Sequence, residues 1–473
     1  MLTLYLSPSA EHSHRSSLQK TRLLRAGWGA AILPAMQRSS AFSMLTASGP
    51  GSQQIRRRGK GETTMKQVAW LLVACTLLIG GCRHPSQENA GKPLPAAAQG
   101  PIQIGGENVV TLTRKATGNG ARPEFLSLTF LPGRGMNVFQ IKASIPGRGD
   151  ISVLNSPSVE TVAARLNGTG MDRTGGASVG FGEAFLIPYP NRIFGQASPD
   201  GTTLTTQWHG RTIVLPAFPR RRETAATPAP AGPPDNMGMV MHGLILKSQA
   251  QDVQTQTTAD GQTATAVIHA GDFGGHWLSK TDLHFTFALT GEAVDETITA
   301  TNVGSEDEPI AIGAHPYFAL PSGDRGQARI HVPASMMAVV NNYHQEFPTG
   351  QLKPVKGTIY DYRSPEGAAL DDHALDDNFS HLQRTHGAVE VKVIDPAANY
   401  GVDVDGLSPE IKTVQIYSPQ GRKFVAVEEQ FNFVDPFGKE WKGMDTGMVT
   451  LHPGQSTTWR LRLRLFTPNA PSR

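Results

Sequence analysis

Two short segments, far apart in the chain, hold residues that suit proton transfer. One is GAHPYF at residues 313–318, which carries the imidazole of His315, and the other is VEEQ at residues 427–430, which carries the carboxylate of Glu428. An imidazole and a carboxylate form the smallest acid–base pair, because one group accepts a proton while the other donates one. The two segments therefore predict an acid–base site, provided that the fold brings them together.

The elements that must position this pair have the pattern of β-strands. Apolar residues 310–312 lead into His315 and apolar residues 424–427 lead into Glu428, so both groups are expected at strand ends. A strand end is a stiff place to mount a side chain at the mouth of a pocket. Glu429 is a rival for the carboxylate role. Neighbours on a strand point to opposite faces, so only one of the two glutamates is expected to enter the pocket.

Apolar and polar residues alternate through much of the chain after residue 105, and few stretches show helical periodicity. The alternation is clearest at residues 283–289, 389–393 and 459–465. The chain also contains 50 glycines and 34 prolines, which are typical of many turns. The sequence predicts an all-β fold, a large antiparallel β-sandwich, formed as one domain by residues 105–470.

The charge of the chain is unevenly distributed. Residues 1–81 contain ten of the 43 Lys and Arg residues but only two of the 40 Asp and Glu residues, which leaves the rest with a net charge of −5. No basic face is evident, so nucleic acid is not an expected partner. The insert at 219–236 is rich in Pro and Ala and is expected to be an exposed, mobile loop.

A second feature lies near the start of the chain. Met65 and Lys66 precede a nearly continuous apolar run at 68–79, which ends in the residues IGGC at 79–82. This pattern resembles a bacterial lipoprotein signal, which implies that residues 65–81 are removed and that Cys82 takes the lipid. An ordinary signal peptide or an anchoring helix remains an alternative. The resemblance places the protein in the bacterial cell envelope, anchored to a membrane by lipid and facing the periplasm.

The segments on either side of this signal have simpler expectations. Residues 1–64 have no clear periodicity and are expected to be a mis-annotated or disordered extension, with Met65 as the true start. Residues 82–104 are rich in Pro, Ala, Gln and Gly and are expected to be a flexible tether. Cys75 and Cys82 are the only cysteines, so the body after residue 82 contains no internal disulfide or zinc–thiolate site.

Five motifs occur in an order that resembles the aldose 1-epimerase (galactose mutarotase) family over roughly residues 105–467. The family carries an Asn-Arg-Ile element, an early His-Gly, a His followed by an aromatic pair, an Asp three residues before a Phe, and a Glu-x-Gln near the end. The matching segments are NRI at 191–193, HG at 242–243, HPYF at 315–318, DDNF at 376–379 and EEQ at 428–430.

The resemblance implies a role for each matched residue. Glu428 matches the family's general base and His315 its general acid, while His242 matches a second pocket histidine near the ring oxygen of the sugar. Arg192 and Asp376 match residues that hold sugar hydroxyls. The family's fold is a mutarotase-like β-sandwich, and its reaction interconverts the α and β anomers of a hexose without a metal or organic cofactor.

Some features of the chain depart from the family pattern or leave alternatives open. The 50-residue spacing from Arg192 to His242 is stretched by the insert, and no arginine follows the His-Gly pair, so a phosphate site is not evident. A non-catalytic carbohydrate-binding protein on the same fold remains an alternative. A glycoside hydrolase or lyase is another, since Asp376 and Glu428 provide two carboxylates. The preferred sugar and the oligomeric state are not determined by the sequence.

Overall fold

The computed structural model describes residues 101–117, 120–169, 172–217, 237–343 and 345–468. The predicted extension at 1–64, the predicted signal at 65–81, the lipidation site Cys82 and the insert at 219–236 all lie outside the described residues. Among the residues that are described, no helix has the length and apolar character needed to span a bilayer.

The described chain is built almost entirely of β-strands. The strands up to the predicted insert, together with the one that follows it, are β1 (Gln103–Ile104), β2 (Glu107–Asn108), β3 (Val110–Thr113), β4 (Glu124–Leu131), β5 (Asn137–Ile145), β6 (Gly149–Ser152), β7 (Glu183–Leu186), β8 (Arg192–Ala197), β9 (Thr203–Trp208), β10 (Arg211–Pro216) and β11 (Met237–Met241). The later strands are β12 (Gln251–Thr257), β13 (Gln262–Gly271), β14 (Thr281–Leu289), β15 (Ala293–Asn302), β16 (Glu308–Ile310), β17 (Gly313–Ala319), β18 (Arg329–His331), β19 (Ala334–Val340), β20 (Pro348–Pro354), β21 (Ala368–Ala369), β22 (Leu375–Leu382), β23 (Val389–Asp395), β24 (Tyr400–Gly406), β25 (Thr413–Ser418), β26 (Phe424–Gln430), β27 (Val449–Leu451) and β28 (Ser456–Phe466).

Helices are few and short in this part of the chain. One α-helix, α1 (Val159–Ala163), begins after Ser158, whose hydroxyl accepts a hydrogen bond from the amide of Thr161. The 3-10 helices are Pro132–Arg134, Gly176–Gly180, Arg325–Gln327, Pro396–Ala398 and Lys439–Trp441.

Two large antiparallel sheets organise the described strands. The eleven-stranded sheet has the order β20-β19-β22-β25-β26-β17-β7-β5-β4-β3, with β6 also paired to β5. The nine-stranded sheet has the order β12-β13-β14-β15-β28-β24-β23-β18-β21. A four-stranded sheet, β10-β9-β8-β11, and the pairs β1-β2 and β16-β27 complete the set.

The two large sheets pack face to face around an aromatic core. The ring of Phe185 on β7 lies 5.6 Å from Phe285, 5.9 Å from Phe287 and 6.1 Å from Trp459, measured between ring centroids. Phe285 and Phe287 belong to β14 and Trp459 to β28, so these contacts cross from one sheet to the other. This arrangement confirms the predicted antiparallel β-sandwich.

The predicted strand alternation is also confirmed. In β14 the residues at odd positions from Thr281 to Leu289 are buried, and those between them are more exposed. In β28 Trp459, Leu461 and Leu463 face the core, while Arg462 and Arg464 face outward and are about half-exposed. An antiparallel sheet with one packed face requires this period of two.

The start of the folded region differs from its predicted boundary at residue 105. Gln103 and Ile104 form β1, and Ile104 is only 2% exposed because it packs with Leu131 and Phe139. The predicted tether at 82–104 therefore contributes its last residues to the folded region. Ile102 and Ile104 alternate with Gln103 and pack against the same cluster, but an alternation of three residues is too short to predict a strand.

A pair of glutamates lies in the interior between the sheets. Glu183 on β7 and Glu296 on β15 are both fully buried, and their carboxyl groups lie next to each other. Burial raises the pKa of Glu296 to about 8 and raises the pKa of Glu183 well above its usual range, the neighbouring Glu296 adding to the second shift. Both shifts favour carboxyl groups that stay protonated near neutral pH.

Because of this pair, the free energy of unfolding is expected to depend on pH between pH 4.5 and about pH 8. The folded state keeps the proton on Glu296 up to about pH 8, whereas an unfolded glutamate loses it near pH 4.5. The stabilising contribution is therefore complete below pH 4.5 and is lost as the pH rises toward 8, at ~1.4 kcal/mol per pH unit for each proton retained. We expect Glu296→Gln to reduce the dependence of the unfolding free energy on pH by ~1.4 kcal/mol per pH unit, which corresponds to one retained proton. Urea unfolding at several pH values between 5 and 8 measures this change.

The neighbouring acid Asp295 provides the matched control. It points to the outer face of β15 and pairs with Arg462. Its charge contributes to the raised pKa of Glu296, so Asp295→Asn should shift the upper end of the pH window downward but keep the slope at lower pH, which Glu296→Gln removes. An unchanged slope in Glu296→Gln would contradict the assignment of a buried, protonated carboxyl group at this position.

Candidate active site

The antiparallel pairing of β17 with β26 places His315 beside Glu428. Gly313 pairs with Gln430 and Tyr317 pairs with Ala426, so His315 and Glu428 lie across from each other between these two pairs. The distance from His315 Nε2 to Glu428 Oε1 is 3.1 Å. His315 is 4% exposed and Glu428 is 1% exposed, so the two groups interact where little water can screen them.

The prediction that these groups stand at strand ends is wrong. His315 is the third residue of β17, and Glu428 is the fifth of seven residues in β26. In β26 the apolar run stops before the strand does, because Glu428 faces a polar cavity, whereas the apolar residues before His315 precede β17, which begins only at Gly313. The pair therefore lies within the eleven-stranded sheet, where strands on both sides hold it in place.

Glu428 and Glu429 point to opposite sides of β26. Glu428 lines a large cavity, and its second oxygen, Oε2, accepts a hydrogen bond of 2.7 Å from Gln430 Nε2. Glu429 lies between the sheets against Gly406 of β24, where a Cβ atom would come within 1.5 Å of its Oε2. Gln430 thus orients Glu428, and the absence of a side chain at Gly406 makes room for Glu429.

A tight turn after β11 positions His242. His242 has φ of +66° and Gly243 has φ of +74°, so both lie in the left-handed region. A Cβ atom at Gly243 would lie 2.3 Å from the carbonyl oxygen of Ile187, which makes glycine necessary there. The His242 amide donates to the carbonyl of Asn191 at 2.9 Å, and the imidazole ring lies 5.3 Å from that of His315.

Four polar side chains form a closed ring of hydrogen bonds beside the pair. Asn191 Nδ2 donates to Gln415 Oε1 at 3.0 Å, and Gln415 Nε2 donates to Asp376 Oδ1 at 2.7 Å. Arg192 closes the ring by donating to Asp376 Oδ2 at 3.3 Å and to Asn191 Oδ1 at 3.2 Å. Because each member is held by two others, the ring fixes the orientation of both amides and of the guanidinium group.

Glu346 supplies a second carboxyl group to Arg192. It lies in the connection between β19 and β20, is 2% exposed, and contacts the Arg192 guanidinium through Oε2. Its φ of +52° is unusual for a residue with a side chain. Burial raises the pKa of Glu346 to about 11, with a contribution from Asp376, and this outweighs the lowering by Arg192. One guanidinium thus faces two carboxyl groups, and burial favours the protonated form of Glu346.

The cavity at these residues has a volume of about 800 Å³. Tyr317 and Tyr417 contribute to its wall, with the Tyr317 ring stacked on His315 at 4.6 Å between centroids. Phe318, the second member of the aromatic pair after His315, is fully buried in the core. The polar and aromatic residues that line the cavity around the pair are Tyr189, Asn191, Arg192, His242, His315, Tyr317, Asp376, Gln415, Tyr417 and Glu428.

Burial sets the protonation of the central pair. It lowers the pKa of His315 to about 4 and raises the pKa of Glu428 well above its usual range, with the charge of Asp376 adding to the second shift. Burial also lowers the pKa of His242 well below its usual range, and the neighbouring His315 adds to that shift. The protein's own groups therefore favour a neutral pair, in which the proton shared by His315 and Glu428 resides on the carboxyl group.

All five residues that sequence reasoning assigned to the pocket line this one cavity. They are Arg192, His242, His315, Asp376 and Glu428. Among the described residues no group of three or more His, Cys, Asp or Glu side chains is arranged to hold a metal ion. The arrangement is suited to moving protons and to binding several hydroxyl groups through charged and amide side chains.

Sequence reasoning missed the residues that contact and orient the five predicted cavity residues. Gln430 belongs to the Glu-x-Gln motif, so its spacing from Glu428 on one strand face could have predicted its hydrogen bond. Asn191 stands next to Arg192 in a quoted motif and could have been proposed as a ligand. Gln415 and Glu346 lie in segments with no motif, and only the pairing of distant strands brings them to the site.

Comparisons with known proteins identify the family of the chain. A family model described as Aldose 1-epimerase matches residues 177–464. No curated protein sequence matches the chain significantly.

Solved structures share the fold at low identity. A galactose mutarotase-like protein from Clostridium acetobutylicum is 20% identical, with a TM-score of 0.56 over 72% of this chain and 92% of its own. An aldose epimerase homologue from Caenorhabditis elegans is 14% identical, with a TM-score of 0.52 over 72% of this chain and 95% of its own. A galactose 1-epimerase from Lactobacillus acidophilus is 14% identical, with a TM-score of 0.50 over 76% of this chain and 99% of its own.

The contact between Glu346 and Arg192 gives a stability prediction. Burial favours the protonated form of Glu346, which Glu346→Gln matches in size and charge, so this variant should change the free energy of unfolding by less than ~1 kcal/mol. Glu346→Ala removes a buried hydrogen-bond partner of a charged group and should cost about 1.5–3 kcal/mol. Urea unfolding at pH 7 measures both changes. Equal losses in the two variants would indicate that Glu346 is ionised.

Proposed function

We propose, because the chain belongs to the aldose 1-epimerase family, that it interconverts the α and β anomers of a free aldose by acid–base opening and closure of the sugar ring. The single observation that carries this proposal is the buried contact of 3.1 Å between His315 and Glu428, set in a cavity that also contains the Arg192–Asp376 hydrogen-bond ring. The contact supplies an acid and a base, and the ring supplies groups that bind hydroxyls.

The two steps of the reaction use the pair in opposite directions. In ring opening, Glu428 accepts the proton of the C1 hydroxyl while His315 donates a proton to the ring oxygen. The bond between C1 and the ring oxygen breaks, and C1 becomes an aldehyde carbon. Rotation about the C1–C2 bond then presents the other face of the carbonyl. In closure the two groups exchange roles, so the protein returns to its starting protonation and the reaction requires no oxidant or reductant.

The shared proton explains how burial is compatible with this chemistry. The neutral pair carries its proton on Glu428, whereas ring opening requires it on His315. A bound sugar favours the second arrangement, because its C1 hydroxyl donates to the Glu428 carboxylate and its ring oxygen accepts from the His315 imidazolium. Only a ligand with a donor and an acceptor at this spacing restores the charged pair, so the pair itself selects for a cyclic hemiacetal.

The remaining groups hold the sugar in place. Arg192 and Asp376 bind hydroxyls by charge-assisted hydrogen bonds, while Gln415 and Asn191 provide amide partners of known orientation. His242 is neutral and lies next to His315, where it can accept or donate one hydrogen bond near the ring oxygen. A binding protein without activity would use the same groups, and turnover measurements therefore decide between the two functions.

The mechanism predicts a sharp difference between two adjacent glutamates. Glu428→Gln preserves the shape of the side chain but cannot accept the C1 proton, so turnover should fall ~10²–10⁴-fold with little change in sugar affinity. His315→Asn should lower turnover by a similar factor, and the loss should be smaller only if His242 donates the proton in its place. Anomer exchange of glucose and galactose followed by NMR measures the turnover, and calorimetry measures the affinity.

Glu429→Gln is the control, because Glu429 lies between the sheets and not in the cavity. It should retain nearly full activity. If Glu429→Gln lost activity while Glu428→Gln kept it, the base would be misassigned by one residue. If both variants stayed active, the acid–base mechanism proposed here would be wrong.

We also propose that the protein is anchored to a membrane through lipid on Cys82 and acts in the bacterial cell envelope. The apolar run at 68–79 followed by IGGC supports this proposal. Expressed in a bacterium, the mature protein should begin at Cys82 and partition with membranes, and Cys82→Ala should release it from them. Intact-mass spectrometry of the membrane fraction tests the lipid directly, and a soluble, unlipidated mature form would contradict the proposal.

A further inference from the structure

The cavity is larger than one sugar ring requires. Its volume of about 800 Å³ falls within the ~300–1,000 Å³ that is typical of sites for drug-sized ligands. Beyond the polar groups around Glu428, a second set of lining side chains is apolar, and we call the region that they line the apolar annex. The annex is lined by Val179, Pro216, Met239, Met241, Leu244 and Phe273.

Two methionines place the annex next to the sugar-binding residues. In the pairing of β11 with β8, Met241 lies across from Arg192 and Met239 lies across from Phe194. Alternate residues on a strand share one face and are about 6.8 Å apart, so the two side chains continue the wall away from Arg192. Met241 is 43% exposed. A large apolar side chain exposed at a cavity wall is typical of a surface that a ligand covers.

A second part of the annex wall is rigid. The ring of Phe273 packs edge-on against Trp277 at 6.3 Å between centroids, and Trp277 stacks on Tyr189 at 5.9 Å. The indole nitrogen of Trp277 donates to the carbonyl of Pro309 at 2.7 Å, which anchors the stack. These contacts hold the Phe273 ring in a fixed orientation at the annex wall.

The polar groups near the annex suit the hydroxyl groups of a ligand. Arg192 is paired with Glu346 and Asp376, whereas Lys247 donates to the carbonyl of Arg173 at 3.0 Å. The Lys247 ammonium group keeps two further N–H donors, which can bind hydroxyl oxygens. His276 lies in the same wall with Nδ1 at 2.9 Å from the carbonyl of Val214, so Nδ1 carries the proton and Nε2 can accept a hydrogen bond from a hydroxyl group.

We infer that the apolar annex is a subsite for a second pyranose ring, which makes reducing disaccharides and longer reducing oligosaccharides the preferred substrates. This inference rests on the proposed function, since the reducing unit must occupy the position beside Glu428 and His315. A pyranose presents a face of C–H groups and a rim of hydroxyls. The C–H face packs on Met241 and Phe273, and a rim hydroxyl donates to His276.

The experiment compares anomer exchange of glucose with that of maltose, cellobiose and isomaltose, all followed by NMR. We expect kcat/KM for at least one disaccharide to exceed that for glucose by ~10-fold or more, as burial of one additional apolar face predicts. Phe273→Ala and Met241→Ala should each lower kcat/KM for that disaccharide by about 10-fold and leave glucose unchanged. Met237→Ala, on the same strand but outside the cavity lining, should change neither.

Three results would overturn the inference, and the first two concern glucose. One is a kcat/KM for glucose that equals or exceeds that of every disaccharide. The other is an equal effect of Phe273→Ala on glucose and on disaccharide. Preference for glucose with an alkyl substituent on O6 over all disaccharides would also reject a second sugar ring and assign the annex to an apolar group.

Binding measurements separate this inference from the proposed function. Calorimetry of maltose and glucose with Glu428→Gln reports affinity in a variant that cannot turn over. If the unmodified protein exchanged no anomers but this variant bound a disaccharide ~10-fold more tightly than glucose, the proposed function would fail and the subsite would stand. If exchange proceeded and the two sugars bound equally, the proposed function would stand and the subsite would fail.

Discussion

The register between β17 and β26 is the constraint on which the site depends. It sets His315 against Glu428 inside the eleven-stranded sheet, and a slip of one residue would turn one of them to the other face. The same register brings Gln430 to the same face as Glu428. The neighbouring pairing of β25 with β26 then places Gln415 across from Glu428, and β22 adds Asp376. A row of adjacent strands thus builds the floor of the cavity.

Three residues near Arg192, at the edge of the cavity, have backbone conformations in the left-handed region. Asn191, His242 and Glu346 have φ values of +60°, +66° and +52°. Each such conformation costs of order 1–3 kcal/mol unless the surrounding structure compensates for it. Hydrogen bonds link all three positions to Arg192 or to one another, so the strain and the hydrogen-bond ring occupy the same place. The proposed sugar-binding groups are therefore held rigidly before any ligand arrives.

Burial has a different consequence for each charged group of the site. It favours neutral His315 and neutral Glu428, whereas the Arg192 guanidinium lies against the carboxyl groups of Asp376 and Glu346. The cavity thus combines a fixed cluster around Arg192, which suits binding, with a pair that can exchange a proton, which suits catalysis. Both depend on the low dielectric of the buried site.

The sequence alone determined the period of two, the turns, and a set of motifs in an order that pointed to five cavity residues. It misplaced Glu428 at a strand end because the apolar pattern stops where β26 faces a polar cavity, and it misplaced His315 because the apolar residues 310–312 precede β17. It also could not identify Gln415 or Glu346, which belong to no motif, or the burial of Ile104, whose alternating segment is very short. Only the tertiary structure decided those positions. Strand register joins residues that are distant in the chain, and burial sets the protonation of the groups that it brings together.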